Sequence, residues 1–402
     1  MKRIIALVLA VFMLSGTMAT AGAQGSDNLN KGAVSFSLKL FDKALNSGDK
    51  NVVISPVSAY LALSLAATGA DGETLDEFSR VLGVNADSLS SYCAGLSDSL
   101  MQTKGNTKIA IANSAWIDEG FLIDQTYLKR VINEMRAEAF TKDLASGNTR
   151  DEINAWVNDK TNGLIPSLLD QNLSEETVLA LINTLYFKAE WRNPFEANDT
   201  FEREFKRLDG SQVSVPFMNE WEKYRDYIHL EGAEGVLRQY DDGKTAFLAL
   251  RATDGRSAQE LLGTLDEDTL AQYIASAKET YMTFSMPKFT LDYGMTMNDA
   301  LSALGLKRAF DRDLANFSRM GKSELGNIYV SQVLQKVKIG VNEKGTEAAA
   351  ATIVAMMAGA AMPLEEPVVL TLDSPFVYAV VDLNTGIPLF VGCMDDPALS
   401  LE

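Results

Sequence analysis

The chain is poor in the side chains that most catalytic and metal sites require. Its 402 residues contain one histidine, His229, and two cysteines. A Ser–His–Asp or Cys–His site would need that histidine as its base, but the surrounding segment YRDYIHLEG carries no nucleophile motif. A zinc site needs more ligands than one histidine can offer. No convincing motif for nucleotide binding or hydrolysis appears either. We therefore expect no catalysis, no metal and no cofactor, and a structural role for His229.

The two cysteines, Cys93 and Cys393, are too few and too far apart in sequence for a disulfide framework. A single bridge between them would be feasible in an oxidising compartment. Pairing is decided by geometry rather than by number, however. We expect two isolated buried thiols, with one disulfide as the alternative.

Positive charge is also scarce, since 36 Lys and Arg face 54 Asp and Glu and the formal net charge is −18. Nucleic acids and anionic membrane surfaces bind basic patches, so we expect neither as a partner. A strongly acidic protein instead attracts cationic proteins through long-range steering.

A long apolar run occurs at the start of the chain. Lys2 and Arg3 precede it, and small residues ending in Ala23 follow it. This pattern predicts a secretory signal peptide over residues 1–23, cleaved before Gln24. The run is too short to span a bilayer, and no cysteine near the cut suggests a lipid anchor. We expect a secreted protein of bacterial type.

Proline is absent from residues 344–362, where small residues alternate with the period of a strand. One parity holds Thr346, Ala348, Ala350, Thr352, Val354 and Met356. That parity would line one face of a strand, and without proline every N–H could join a ladder. Alanine is a poor strand former in isolation and the best helix former, so an alanine-rich helix or surface loop is the alternative. The segment is suited to switching between loop and strand.

Regular strands flank this run. Leu334 to Val341 reads as a long strand before it, and residues 373–397 read as two hydrophobic strands joined by Asn384-Thr385-Gly386. Several motifs accompany these strands in a fixed order. They are NVVISPVS (51–58), INAWV (153–157), NTLYFKAEW (183–191), MPKF (286–289), GTEAAAAT (345–352), DSPFVY (373–378) and PLFVG (388–392).

Together these motifs resemble the serpin family of suicide protease inhibitors over the whole mature chain. The resemblance implies an α+β fold with three β-sheets and about nine helices. It implies one domain over residues 24–402, a monomer, and an exposed reactive-centre loop at about residues 345–371. A target serine protease would cut this loop and form a covalent acyl complex, while the hinge side of the loop enters the main sheet. The implied hinge residues are Glu343, Gly345, Thr346, Glu347, Ala348, Ala349, Ala350 and Ala351.

The resemblance also assigns residues beneath the entry point of the loop. Ser55, Ser58 and Asn183 would form hydrogen bonds under the parting strands, and Trp191 would lie near the loop entrance. Lys288 would pair with the hinge glutamate. Gln335 stands where many animal relatives carry a histidine, and an amide cannot gain charge near pH 6.

Family spacing places the cleaved bond at Gly359–Ala360, while counting back from Pro375 gives Leu364 instead. Met357–Ala358 and Ala361–Met362 are rival bonds. The segment MMAGAAM (356–362) has no Arg, Lys or aromatic residue. We therefore expect a protease with a shallow apolar pocket, of the elastase or subtilisin kind.

Two other functions remain open. One is a non-inhibitory carrier or chaperone with the same fold, although bulky, charged or proline residues are typical of the hinge in such relatives. The other is inhibition of cysteine proteases, whose acyl chemistry is analogous. Residues 86–102 carry no Lys or Arg, so we do not expect activation by heparin-like polyanions.

Overall fold

The computed structural model describes residues 26–45, 50–322, 327–346 and 366–400. These ranges contain nine α-helices, labelled α1 to α9: 26–44, Pro56–Gly69, Gly72–Leu82, Ala86–Met101, Gln125–Lys129, Gly147–Lys160, Ala258–Leu262, Glu267–Ser276 and Asn298–Ala303. Within this part of the chain, no helix is long and apolar enough to cross a membrane.

The same ranges contain seventeen strands, labelled β1 to β17. They are Val53–Ile54, Lys108–Asp118, Leu122–Ile123, Glu138–Lys142, Leu179–Glu190, Thr200–Lys206, Gln212–Leu230, Ala233–Gln239, Thr245–Ala252, Lys278–Pro287, Phe289–Thr296, Gly321–Lys322, Gln332–Asn342, Gly345–Thr346, Val368–Thr371, Phe376–Asp382 and Pro388–Met394. They form sheets of nine, six and two strands. The α+β fold with three sheets and about nine helices is thus confirmed for the described residues.

The nine-stranded sheet forms much of the core. Its path is β1-β17-β16-β9-β8-β7-β10-β15, with β6 paired to β7. The predicted C-terminal hairpin is present as β16 and β17, and all residues of both strands are buried. Such strands read as continuous apolar runs because both faces are covered.

Helix α2 lies behind the six-stranded sheet and is completely buried. Its sequence PVSAYLALSLAATG contains no charged residue, so no unpaired charge enters the core. Pro56 occupies the first turn, where a missing N–H costs nothing. The helix therefore provides a rigid apolar base whose N-terminus, at Ser55, contacts the sheet.

The six-stranded sheet has the order β11-β13-β14-β5-β2-β4. Strands β13 and β5 are parallel and pair directly over four residues, from Gln332–Ala180 to Gln335–Asn183. At the other end, the short strand β14 lies between them and pairs with both. The two long strands are therefore joined at one end and separated at the other.

The described residues correct the expected extent of the reactive-centre loop. Gly345 and Thr346 are buried as β14, and Val368–Thr371 forms β15 at the edge of the nine-stranded sheet, parallel to β10. Residues 345–346 and 368–371 therefore belong to sheets rather than to an exposed loop, and residues 347–365 lie outside the described residues. Thr346 is buried and its hydroxyl is hydrogen-bonded, and Leu370 is buried and apolar. Exposing these side chains to solvent would lose the free energy gained by their burial.

Cys93 and Cys393 are both free and buried, which confirms the expected isolated thiols. Cys93 lies on α4, where its thiol donates to Ser64 Oγ at 3.2 Å. Burial raises the pKa of the Cys93 thiol to about 12. Because the thiolate is the reactive form, both side chains should be inert in the folded protein.

We predict that Ellman's reagent labels neither thiol of the native protein at pH 8, and labels two per chain in guanidinium chloride without reductant. The reason is that unfolding removes the burial that suppresses the thiolate. The labelled thiols are counted after the protein is mixed with the reagent in the presence and in the absence of denaturant. No labelling in denaturant would reveal a disulfide and contradict the structure.

Candidate functional site

The candidate site begins where β13 and β5 part. Gln335 is the last β13 residue paired directly to β5, and its side chain faces the start of α2. Its Oε1 accepts from the backbone N–H of Ser55 at 2.8 Å, and its Nε2 donates to the Ser55 carbonyl at 2.8 Å. Ser55 Oγ donates to Ser58 Oγ, also at 2.8 Å. One amide therefore ties the junction of the strands to the buried helix.

Asn183 is paired with Gln335 across the junction, but its side chain points to a different set of groups. Its Nδ2 donates to Ala112 O at 3.3 Å and also to Asn113 Oδ1. Within the described ranges, Asn183 Oδ1 and the neighbouring Thr184 Oγ1 are buried without a hydrogen-bond partner. Buried polar atoms are usually paired, so the structure is incompletely satisfied at this point.

The hinge occupies the opposite end of the opening. Gly345 lies so close to β5 that a Cβ there would overlap the carbonyl oxygen of Ala189, which explains why glycine is required. The hydroxyls of Thr346 and Tyr240 form a buried hydrogen bond at 2.6 Å. Trp191 stacks on the Tyr240 ring, with 4.6 Å between centroids. The first hinge residues are therefore already inside the sheet.

Trp191 also holds the turn that leads into the hinge. Its Nε1 donates to Asn342 O at 2.8 Å, and its backbone N–H donates to Lys344 O at 2.7 Å. Because the indole is buried and has one N–H donor, its orientation is fixed by this bond. The two contacts define where the chain leaves β13.

The expected ion pair at the hinge is present. Lys288 Nζ lies 3.0 Å from Glu343 Oε2, and Thr200 Oγ1 donates to Glu343 Oε1 at 3.0 Å. Burial opposes ionisation of the carboxyl, but its own backbone N–H, Lys288 and Thr200 together bring the pKa of Glu343 below its usual value. The resulting stabilisation is present above the ordinary carboxyl pKa and is lost as pH falls through the depressed value. It is small, since Lys288 is 42% exposed.

The structure thus gathers the predicted residues into two clusters, one towards each end of β13. Ser55, Ser58 and Gln335, with Asn183 beside them, form the junction cluster. Trp191, Lys288, Glu343, Gly345 and Thr346 form the hinge cluster. The predicted hinge residues 347–351 and the candidate bonds within 357–362, with Leu364, lie outside the described residues.

Sequence reasoning missed Tyr240 and Thr200, which complete the hinge cluster. Neither belongs to a motif, and only the tertiary arrangement brings them to Thr346 and Glu343. The histidine His229 is exposed on β7, with its ring centroid 6.1 Å from that of Tyr227.

We predict that Gln335→Ala lowers the free energy of unfolding by about 2 kcal/mol, because it leaves two buried groups of Ser55 without this partner. Urea denaturation of the purified proteins makes the measurement. Gln259→Ala, on the exposed face of α7, is the matched control and should change stability by less than about 0.5 kcal/mol. Equal effects of the two variants would show that Gln335 does not secure the junction.

Comparisons with a family model, with related sequences and with solved structures all identify the same family. A family model described as Serpin (serine protease inhibitor) matches residues 31–397. Serpin-ZXA of Oryza sativa subsp. japonica is 32% identical over 366 residues, which cover 87% of this chain and 91% of that protein. A serpin-like protein of Thermococcus kodakarensis is 32% identical over 369 residues, covering 90% of this chain and 84% of that protein.

Solved structures of the thermophilic serpin tengpin are also similar. Its native state has a TM-score of 0.85 at 34% identity and covers 91% of this chain and 94% of its own. Its latent state has a TM-score of 0.77 at 33% identity and covers 92% of this chain and 98% of the tengpin chain. The family match extends over the hinge, the junction and the C-terminal hairpin alike, and this protein therefore belongs to the serpin family.

Proposed function

We propose that the protein is a secreted suicide inhibitor of serine proteases, which acts by cleavage of its loop and insertion of the hinge side into the six-stranded sheet. The observation that carries this proposal is the incomplete pairing of β13 with β5. A strand can enter only where a sheet is open, and the opening here begins at the hinge.

The open region supplies a driving force for insertion. Beyond Gln335 and Asn183, no direct pairs between β13 and β5 occur among the described residues. An inserted strand could form ladder hydrogen bonds with both neighbours. At about 1 kcal/mol net for each bond, a dozen new bonds would contribute on the order of 10 kcal/mol. This amount is comparable with the stability of a whole domain.

The geometry of the hinge supports insertion rather than a permanently exposed loop. Gly345 and Thr346 already pair with β5 through Glu190 and Ala189. The residues that follow are small, since Ala348 to Ala351 are four successive alanines. Small side chains can enter a packed sheet without the cost of burying unpaired charge. The greater similarity to the native than to the latent state of tengpin also supports an uninserted form.

The target would be an elastase-like or subtilisin-like protease. This part of the proposal rests on the sequence MMAGAAM, because a trypsin-like pocket needs a cation and a chymotrypsin-like pocket prefers a large ring. We place the cleaved bond at Gly359–Ala360. The same acyl chemistry would allow a cysteine protease as target.

The protein would act as a monomer without a polyanionic activator. Helix α4 carries no Lys or Arg along Ala86–Met101, whereas polyanions bind clustered cations. The overall charge of −18 favours encounter with a basic protease instead.

We predict that incubation with pancreatic elastase gives a covalent adduct that survives SDS gel electrophoresis, together with a released C-terminal peptide. Mass spectrometry of that peptide identifies the cleaved bond, which we expect at Gly359–Ala360. Subtilisin and papain provide parallel arms for the other protease classes. Cleavage without any adduct in all three would favour the non-inhibitory carrier.

We predict that Thr346→Arg converts the inhibitor into a substrate. The hinge could then occupy its place beside Tyr240, in the intact or the inserted form, only by burying an unpaired charge. The stoichiometry of inhibition, the number of inhibitor molecules consumed for each protease inactivated, should rise at least about tenfold. This rise corresponds to about 1.4 kcal/mol in the partitioning between the inhibitory and the substrate pathways. Thr346→Ser keeps the hydroxyl and is the matched control. An adduct yield equal to that of the control would argue against insertion through this entrance.

We also predict that the cleaved protein melts at a higher temperature than the intact one. Insertion after cleavage would add the ladder bonds described above, and about 10 kcal/mol is a large fraction of domain stability. Scanning calorimetry before and after limited proteolysis makes the comparison. Equal melting temperatures would mean that cleavage releases no stored stability.

A further inference from the structure

Large aromatic and aliphatic side chains are exposed together on the outer face of the nine-stranded sheet, where the chain returns to it after the loop. Phe201 on β6, Trp221 and Tyr224 on β7, and Val369 on β15 are 44%, 46%, 51% and 65% exposed. We call these four side chains, with Tyr281 of β10, the aromatic patch. Exposed apolar residues that are scattered singly need no explanation, whereas a contiguous group of them marks an interaction surface.

The patch is continuous across neighbouring strands. The rings of Phe201 and Trp221 are stacked, with 6.3 Å between centroids, and those of Tyr224 and Tyr281 are 5.4 Å apart. Val369 extends the patch to β15, which pairs with β10, while β10 pairs with β7. Adjacent strands are about 4.8 Å apart, so the backbone of β15 lies about 10 Å from that of β7.

A β-bulge in β7 brings Trp221 and Tyr224 to the same face. The pairing of β7 with β10 shifts at this point, so that Trp221 and Glu222 together lie opposite Thr283. Side chains alternate between the two faces of a regular strand, and positions 221 and 224 would then lie on opposite faces. Bulges re-aim side chains in this way beside functional sites.

The bulge residue Glu222 has a backbone conformation that only glycine adopts readily. Its φ is +54°, and the hydroxyl of Tyr281 donates a hydrogen bond to its Oε2 at 3.1 Å. Strained residues of this kind persist where the surrounding structure holds them, and they are frequent at sites that bind ligands or partners. The patch is therefore a specific arrangement rather than a chance group of exposed side chains.

The course of the chain indicates which molecule lies beside the patch. β15 is the first described strand after residues 347–365, and it carries Val369. The proposed bond at Gly359–Ala360 is about eight residues before Val368, a distance of at most about 26 Å. A protease domain of about 200 residues has a radius of gyration of about 16 Å. A protease that holds the bond is thus tethered beside the patch, at an effective concentration of about 1 mM.

The charges near the patch favour the same partner. Glu222 within it and Glu366, just before β15, are both exposed. Arg203 is a cation on the same face, but its Nη1 already donates to Asn219 Oδ1 and to Ser285 Oγ. The whole chain has a formal charge of −18. A protease with Lys or Arg beside its active-site cleft would therefore be attracted to this face.

We propose that the aromatic patch is a docking surface for the target protease, which contacts the patch while the loop occupies its active-site cleft. The inference rests on the inhibitory function proposed above and adds a second point of recognition to it. The protease surface in contact would be apolar and would carry at least one Lys or Arg to meet Glu222. Trp221 and Tyr224 would contribute most of the binding energy, because large aromatic side chains dominate such interfaces.

The patch is separate from the machinery of insertion. It lies on the nine-stranded sheet, whereas the loop would enter the six-stranded sheet between β13 and β5. Substitutions in the patch should therefore slow the capture of protease without changing the stoichiometry of inhibition. Because the substituted side chains are exposed, the melting temperature should also stay the same.

The test measures the second-order rate constant and the stoichiometry of inhibition with pancreatic elastase, subtilisin and papain. Trp221→Ala and Tyr224→Ala should each lower the rate constant about tenfold for the protease inhibited fastest, and less than about threefold for the others. Trp221→Phe keeps a ring and should also lose less than about threefold. Leu208→Ala is the matched control, since Leu208 is 62% exposed but lies on the turn between β6 and β7, outside the patch.

The possible outcomes separate this inference from the proposed function. If the native protein forms no adduct with any of the three proteases, the inhibitory function fails and the docking surface with it. If adducts form but both alanine variants react at the native rate, only the docking surface is overturned. Equal losses with two unrelated proteases would show that the substitutions alter the loop itself, which also overturns it. A native dimer that Trp221→Ala dissociates in size-exclusion chromatography would identify a second copy as the occupant instead.

Discussion

The short parallel pairing of β13 with β5 is the constraint on which the rest of the molecule depends. Two strands that pair at one end and are separated at the other cannot form backbone hydrogen bonds with each other along their whole length. The four direct pairs that end at Gln335 and Asn183 keep the sheet together. The hinge strand β14 keeps it apart. The buried helix α2 and the turn at Glu343 secure these two ends.

The two clusters are linked because β13 runs between them. Gln335 fixes the strand to the start of α2, and Glu343 fixes its end to Lys288 and Thr200. Between them, alternate residues of β13 are buried, with Val337, Ile339 and Val341 facing the core. Because β13 is held at both ends, another strand could pair with it without moving it. The Arg238 guanidinium, 5.2 Å from the centroid of the Trp191 ring, adds a third set of contacts close to the hinge end.

Much of this arrangement could be predicted from the sequence. The C-terminal hairpin, the strand before the hinge and the Lys288–Glu343 pair all follow from apolar patterns and from the family resemblance. The depth of the hinge could not be predicted, because the small residues after Gly345 suit a helix, loop or strand almost equally. For Thr346 the neighbouring strands decide rather than local preference, since it pairs with both β13 and β5.

The contacts of Tyr240 and Arg238 escaped prediction for a related reason. Each lies on or beside a strand whose sequence shows only alternation, and its partners come from distant segments. A pattern indicates which side of a strand a residue occupies, but not which side chains it meets there. Hydrogen bonds such as that between Tyr240 and Thr346 therefore require coordinates.

The close approach of Gly345 to Ala189 has a consequence for how such a protein can diversify. Because no side chain fits at Gly345, the hinge enters the sheet at this residue, and the position of every later residue is set relative to it. Adding one residue downstream would lengthen the path by about 3.3 Å and turn every following side chain to the opposite face. Homologues that acquire new targets should therefore substitute residues within this stretch and conserve its length.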